Sequence, residues 1–223
     1  MNDCRSVFIT RHGGPDVLEL RTTSISDPIE EEVLVEIKYS GINFADIMSR
    51  MGLYTTRLKP PYRLGMEIAG VVSKSGSEKN RSLVGRAVVG FCRSGGYSSH
   101  VNVPAEQLFV IDDKWLNVAA AIPVNYLTAY FMMIHQGSLR KDETILIHGI
   151  GGGVGIAALQ IANKIGAKII GTASAGKHSK IRELGVEHLI DYQSEDFSER
   201  VMEMTHGKGV DLVMDSLGGK ELA

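Results

Sequence analysis

Five glycines within eight residues carry the clearest chemical signal in this chain. The stretch His148-Gly-Ile-Gly-Gly-Gly-Val-Gly155 follows an apolar run, Thr144-Ile-Leu-Ile147, and opens a segment of helical period from Val154 to Ile165 that stops at Gly166. Strand, glycine turn and helix in that order are what a dinucleotide phosphate site requires. Glycine permits the tight turn and lets a pyrophosphate approach the main chain, while the amides and positive dipole end of the helix hold the anion. Ile150 occupies the first position of a strict G-x-G-x-x-G ending at Gly155, so the run reads better as Gly149-x-x-Gly152-x-x-Gly155. Gly149, Gly152, Gly153, Val154 and Gly155 are therefore the expected phosphate contacts.

The end of the next strand chooses between cofactors. An NAD site carries an acid about 20 residues past the fingerprint to bind the ribose hydroxyls. Here the neighbourhood reads Thr172-Ala-Ser-Ala-Gly-Lys-His-Ser-Lys180, with no acid. Ser174 and Lys177 offer a hydroxyl and a cation to a ribose 2′-phosphate, with His178 a further donor, so the expected cofactor is NADP(H). Lys180 reads as a solvated surface lysine. Tyr192 either flanks the adenine or is a half-buried aromatic at a strand end.

The remaining elements must position these groups. Beyond the glycine turn, Lys168–Thr172, Leu189 to Tyr192 and Val210–Met214 read as strands, alternating with helices at Lys177 to Leu184 and Asp196 to Met204, the latter with Ser194 as a candidate cap. That alternation implies a doubly wound parallel sheet. The first 120 residues differ. Strand-like runs Ser6 to Thr10, Val17 to Thr22, Glu32 to Tyr39, Glu67 to Lys74, Arg86 to Phe91 and Tyr97 to Val103 alternate with turns such as Gly13-Gly14-Pro15-Asp16, and one helix falls near Phe44 to Met51. This predicts a mostly antiparallel β domain over 1–122, followed by a nucleotide domain over 123–223. Asn117 to Ala121 and Val124 to His135 read as helices joining the halves, the second apolar nearly all round and so expected to be buried between them.

Composition narrows the function class. The net charge is −2, from 24 basic and 26 acidic residues, which gives no reason to expect nucleic acid or an anionic membrane as partner. No apolar run approaches the ~20 residues of a membrane span, and the start MNDCRSVFIT has no signal-peptide core. Cys4 and Cys92 are the only thiols. They read as reduced cysteines, which suits a cytoplasmic protein. No Ser-His-Asp set, carboxylate pair or metal set emerges from the spacing.

Taken together, SGINFADIMSRMGLY (40–54), PYRLGMEIAGVV (61–72), GGYSSHVNVP (95–104), AAAIPVNYLTAYFMM (119–133), ILIHGIGGGVGIAALQIA (145–162), GTASAGKH (171–178) and VDLVMDSLGG (210–219) resemble the medium-chain dehydrogenase/reductase superfamily. The likeness is greatest to its zinc-free quinone oxidoreductase branch, which includes the vesicle amine transport protein homologues. The resemblance implies a GroES-like antiparallel β domain and a Rossmann domain, an α/β fold in all. Zinc-dependent relatives carry a Cys, a Gly-His-Glu and a four-Cys lobe. Here Asn43 stands near the first position and Gly65-Met66-Glu67 replaces the histidine motif, so no metal is expected. Glu67 then reads as a structural carboxylate, paired or hydrogen-bonded.

The implied chemistry is hydride transfer from NADPH to a quinone or to the β-carbon of an α,β-unsaturated carbonyl. By resemblance, Asn43 and Tyr54 line the acceptor pocket, where an amide and a phenol can donate to a carbonyl gaining charge. Asn43 is also a helix N-cap candidate, and Tyr54 equally a loop aromatic packed on the core. Thr128, in the LTAY run, lies near the cofactor by resemblance or bonds back to a helix carbonyl. The alternative is a non-catalytic nucleotide-binding or interaction protein. Members of the branch exceed 300 residues, so a chain ending at Ala223 is expected to hold strands 1 to 4 of the nucleotide sheet, to leave strand 4 as an open edge, and to show little turnover by itself. The full-length form is expected to be a homodimer.

Overall fold

In the computed structural model, which describes residues 2–54 and 58–218, the chain divides into two compact units, 1–124 and 125–223. Among the described residues of the first unit every strand pairing is antiparallel. β1 (Asn2–Ile9) lies between β2 (Leu18–Ile25) and the short β4 (Tyr62–Arg63). A second sheet has the order β7-β3-β5-β6-β8, built from β3 (Glu32–Ser40), β5 (Glu67–Ser75), β6 (Ala87–Phe91), β7 (His100–Pro104) and β8 (Leu108–Val110). The two sheets are joined where Val7 N–H donates to Tyr97 O, Ser99 N–H donates to Arg5 O and Ile37 N–H donates to Ser99 O. β-branched residues make this core. Val33 and Val35 on β3, Ile68 and Val72 on β5, Val88 on β6, and Val101 and Val103 on β7 are all buried against one another. Their two-residue spacing on β3 and β7 is the period of a sheet with one face inward.

The second unit holds a four-stranded parallel sheet of order β11-β10-β9-β12, formed by β9 (Thr144–Ile147), β10 (Lys168–Thr172), β11 (His188–Ile190) and β12 (Leu212–Met214). The crossover helices are α4 (Gly153–Ile165), α5 (Ala175–Arg182) and α6 (Phe197–Met204). Ile145, Ile147, Ala157, Ala158, Ala162 and Ile150 are fully buried between sheet and helices. The small residues of α4 face the sheet, and at about 25 cal/mol per Å² their apolar burial is what holds the helix there.

Several boundaries differ from expectation. β1 starts at Asn2 instead of Ser6, because residues 2–5 continue the antiparallel ladder with Thr22 to Ile25 of β2. β7 starts at His100, Tyr97 being spent on the link to β1. Asp196, not Ser194, caps α6: its Oδ1 accepts from Ser198 and Glu199 N–H, while Ser194 Oγ donates to Asp191. The helix after Pro123 is not buried all round. It runs as α3 (Pro123–Tyr130) and then widens to a π turn at Phe131–Gln136. Ala129 and Met133, four residues apart on one face, are fully buried in the core of the second unit and Tyr126, Met132 and Ile134 pack partly buried against it, whereas Leu127, Tyr130 and Phe131 are half exposed or more.

Candidate functional site

The turn from β9 into α4 forms a glycine-lined cradle. Gly152 is the N-cap, in extended conformation, and no side chain caps the helix, so its first-turn amides are free for an anion. Gly149 adopts φ +63°, a left-handed conformation that disfavours a side chain. A Cβ on Gly155 would stand 2.4 Å from Gly149 O and 2.6 Å from Ile150 Cα, so this glycine lets helix and turn touch. A Cβ on Gly152 would meet only Gly149 O, at 3.3 Å, leaving the outer face of the turn open to a ligand. Gly153 and Val154 begin α4 beside it. Thr172, at the end of β10, steadies the turn: its Oγ1 accepts from Gly149 N–H and lies 3.2 Å from the His148 ring.

The second strand's end brings its two expected residues to this turn. Ser174 is the N-cap of α5 and makes no side-chain capping bond, so its hydroxyl is uncommitted to the helix. Lys177, in the first turn of α5, lays its stem along the glycine turn, with Cδ 3.0 Å from the place a Cβ on Gly151 would take. His178 is turned away, its Nε2 lying 2.9 Å from Ala173 O. Lys180 and Tyr192 are exposed. Asn125, which sequence reasoning missed, sits against the cradle with Oδ1 2.5 Å from a Cβ position on Gly153. Thr128, three residues on, shares that face of α3 and is half-buried. A Pro-Val-Asn opening to a helix carries no phosphate-site signature, so only the three-dimensional arrangement reveals Asn125.

In the first unit, α1 (Phe44–Met51) is inverted relative to ordinary amphipathic helices. Asp46 and Ser49 are its buried residues, while Phe44, Ile47 and Met51 are exposed. Asn43 precedes it as N-cap, and its backbone N–H donates to Asp46 Oδ2. Asn43 Nδ2 donates to Glu67 Oε1 at 2.7 Å, and Glu67 Oε2 accepts from Val124 N–H at 2.8 Å. Glu67 is thus hydrogen-bonded through both oxygens. Gly41 closes the carboxylate from the other side, since a Cβ there would lie 2.1 Å from Oε1. Burial pushes the Glu67 carboxyl above its usual range, against the Val124 and Asn43 hydrogen bonds that favour the ion.

Asp46 is 2% exposed, and its carboxyl is also pushed up, first by burial. Its Oδ2 accepts from Tyr97 OH as well as from Asn43 N–H, whereas its Oδ1 has no hydrogen-bond partner. Tyr97 is held as a phenol by burial and by this bond to Asp46. Tyr54 belongs to the wall of a recess of about 240 Å³ that Asp46, Ser49, Tyr62, Leu64 and Phe91 also line, and Asn43, outside that wall, donates its backbone N–H to Asp46. The spacing of Asp46 and Ser49, three apart and opposite the apolar stripe, was the available sign of a buried polar face.

The donors around Asn43 do not suit a zinc ion. Asn43 is an amide, Met66 a thioether, and both Glu67 oxygens are engaged. Burial pushes the Cys92 thiol up to about 12, and its Sγ donates to Gly65 O. Among the described residues, no three His, Cys, Asp or Glu side chains gather as a metal set.

Comparison with known proteins agrees with this architecture. Residues 29–113 match the alcohol dehydrogenase GroES-like domain, and residues 153–223 match the family described as zinc-binding dehydrogenase. The chain is 40% identical over 220 residues to the synaptic vesicle membrane protein VAT-1 homolog of Danio rerio, covering 97% of this chain and 45% of that one. The chain therefore spans about half the length of the curated vesicle-protein relatives it matches. The crystal structure of Escherichia coli quinone oxidoreductase complexed with NADPH superposes with a TM-score of 0.91 at 38% identity, over 98% of this chain and 68% of that one. The CurK enoyl reductase structure superposes with a TM-score of 0.92 at 30% identity, over 99% and 69%. The chain belongs to the medium-chain dehydrogenase/reductase superfamily, in its quinone oxidoreductase branch.

Proposed function

We propose that this chain is the nucleotide- and acceptor-binding part of a zinc-independent, NADPH-dependent reductase of quinones or α,β-unsaturated carbonyls. The observation that carries the reading is the uncapped start of α4 with the Lys177 stem lying along its glycine turn, at a strand end that has no acid. The amides of Gly153, Val154 and Gly155, with Gly149 and Gly152 opening the approach, would hold the pyrophosphate, and Ser174 and Lys177 the 2′-phosphate. Asn125 and Thr128 would border the cofactor from α3, and Tyr192 the adenine. NADPH supplies a hydride when bound. The quinone oxidoreductase complexed with NADPH and the enoyl reductase among the structural relatives support both the cofactor and the acceptor class.

In the first unit the protein's task is to stabilise charge on the acceptor oxygen. Asn43 keeps one amide N–H beyond the one given to Glu67, and Tyr54 has a phenol on the recess wall. Donors of this kind are typically worth about 2.7–4 kcal/mol of transition-state stabilisation when well placed. Homodimer formation by the full-length protein belongs to the same proposal.

Thermal unfolding with each cofactor tests the reading. NADPH at 100 times its dissociation constant should stabilise the protein by about 2.7 kcal/mol, and NADH at the same concentration by much less. A shift with neither would favour an interaction protein of the vesicle type. Unchanged turnover in both Tyr54→Phe and Asn43→Ala would remove the polarising roles.

A further inference from the structure

Two arginines stand on the wall of the recess in the first unit, and the proposed hydride chemistry uses neither. Arg63 ends β4 and is half-buried, while Arg93 lies just past β6 and is exposed. The backbone brings them together. Cys92 N–H donates to Met66 O at 2.8 Å, Gly96 N–H to Gly65 O at 3.1 Å and Tyr97 N–H to Leu64 O at 2.9 Å, so residues 92–97 are zipped along residues 64–66. A Cβ on Gly95 would lie 3.5 Å from Arg63 Nε and Cζ, an ordinary contact, so the guanidinium rests on that loop. Arg93 and Ser94 line the recess from the loop, and Arg63 lines it from the segment the loop is zipped to.

No acid neutralises this pair. Arg11, Arg21, Arg81 and Arg200 each meet a carboxylate on the open surface, whereas no ion pair among the described residues includes Arg63 or Arg93. Of the described residues that line the recess, Asp46 is the one acid, and its Oδ2 is taken up by Tyr97 OH and Asn43 N–H. Two like charges on one wall repel, and an anion from outside relieves the repulsion. A guanidinium offers a planar fork of donors that matches the two oxygens of a carboxylate.

The other walls say what the anion must carry. Leu58, Leu64, Met66 and Phe91 give the recess an apolar lining, which rewards a hydrocarbon body and offers nothing to a bare hydrated ion such as phosphate. Its volume of about 240 Å³ lies below the roughly 300–1,000 Å³ of pockets for drug-sized ligands, so that body is about one ring in size.

We infer that this recess is an anion site for a small monocarboxylic acid, with the carboxylate held by Arg63 and Arg93 and the apolar body against Leu58, Leu64, Met66 and Phe91. Such a site does not depend on the reductase reading. It serves equally an acidic acceptor and an acid that never reacts.

Benzoate is the probe, with benzamide as its neutral isostere. Each is titrated into the chain without cofactor at low salt and followed by NMR. Benzoate shifts should centre on Arg63, Arg93, Leu64 and Phe91, and benzamide should bind about ten-fold or more weakly, the ordinary worth of a hydrogen-bonded charge. Arg63→Gln should weaken benzoate by about ten-fold or more and leave benzamide nearly unchanged. Arg93→Gln, at an exposed position, should weaken benzoate by about two- to five-fold. Salt at 0.15 M should weaken benzoate and spare benzamide. Inorganic phosphate should bind in the recess more weakly than benzoate.

Benzamide binding as tightly as benzoate, unchanged benzoate affinity in both arginine variants, tighter binding of phosphate in the recess, or benzoate shifts centred on Gly152 and Lys177 would overturn the inference. The enone acid trans-4-oxo-2-pentenoate separates the two kinds of occupant. NADPH oxidation by it that benzoate inhibits competitively assigns the recess to an acidic acceptor, and displacement of benzoate without oxidation assigns it to an unreactive acid. Oxidation of NADPH by the methyl ester in a protein that ignores benzoate would keep the reductase reading and discard the anion site; benzoate in the recess of a protein that reduces no acceptor would do the reverse.

Discussion

Two glycines of one loop should fail in opposite ways when each receives a methyl group. In Gly155→Ala the new Cβ would stand 2.4 Å from Gly149 O and 2.6 Å from Ile150 Cα, about 1 Å inside the 3.4 Å at which ordinary contact begins. Both neighbours are backbone, so α4 must lift from the turn. Overpacking of this kind costs about 1–3 kcal/mol. For a unit of 99 residues each kcal/mol is worth roughly 4–8 °C in Tm, so the melting of the second unit should fall by at least about 4 °C. In Gly152→Ala the methyl meets only Gly149 O, at 3.3 Å, and φ is −91°, open to any residue. The loss of stability there should stay below about 1 kcal/mol, the scale of an N-cap change. The same methyl covers the outer face of the turn, where a diphosphate would approach. Losing one hydrogen bond to a charged group, about 1.5–3 kcal/mol, weakens NADPH binding by about ten-fold or more. Calorimetric melting and fluorescence titration with NADPH separate the two effects. A Gly152→Ala protein that melts like wild type and binds NADPH with unchanged affinity would refute the assignment of that face to the phosphates.

Further outcomes follow from the same geometry. Lys177→Ala should lower NADPH affinity by about ten-fold or more while leaving NADH affinity nearly unchanged, as read by the ratio of the two dissociation constants. Asp46 has a folded-state carboxyl raised by burial above its unfolded value. Its stabilising contribution is therefore full below the ordinary carboxylate range and is lost as pH rises through the folded value. Asp46→Asn removes that loss, so its stability relative to wild type should increase between pH 4 and pH 7 in urea titrations; a constant difference would contradict it. Cys92, 3% exposed and raised to about 12, should resist iodoacetamide at pH 8 in the folded protein and react in urea, as mass spectrometry of the labelled peptide would show.

The parts legible in sequence are those with a long or repeated local signal. β9, β10 and α1 fall at the expected residues, because an apolar run with a glycine after it and an N-cap before a helix are local instructions. β4 and β8, two and three residues long, are too short for any period to declare. The all-apolar reading of residues 124–135 failed because apolarity says what a helix tolerates, not which face a neighbouring sheet will cover. In the candidate site, the glycine turn between β9 and α4 was readable from spacing, and the placement of Lys177 beside it only from the fold. Glu67 was readable as a bonded carboxylate, yet its partners, 24 and 57 residues away, were not. Asp46 was hidden for a related reason. An acid in a helix's first turn is so common as a dipole partner that its burial has no sequence mark.

Gly41 and Glu67 leave almost no space between them. A methyl at position 41 would collide with Glu67 Oε1 at 2.1 Å and with Ala120 O at 2.4 Å. Drift at either position is therefore ordered in time: the acid must first shorten or vanish, and the main chain near 120 must also yield, before anything larger than hydrogen can be accepted at 41. Homologues in which Gly41 has been replaced should already have lost the glutamate, making this pair a marker of which lineages have abandoned the clamp.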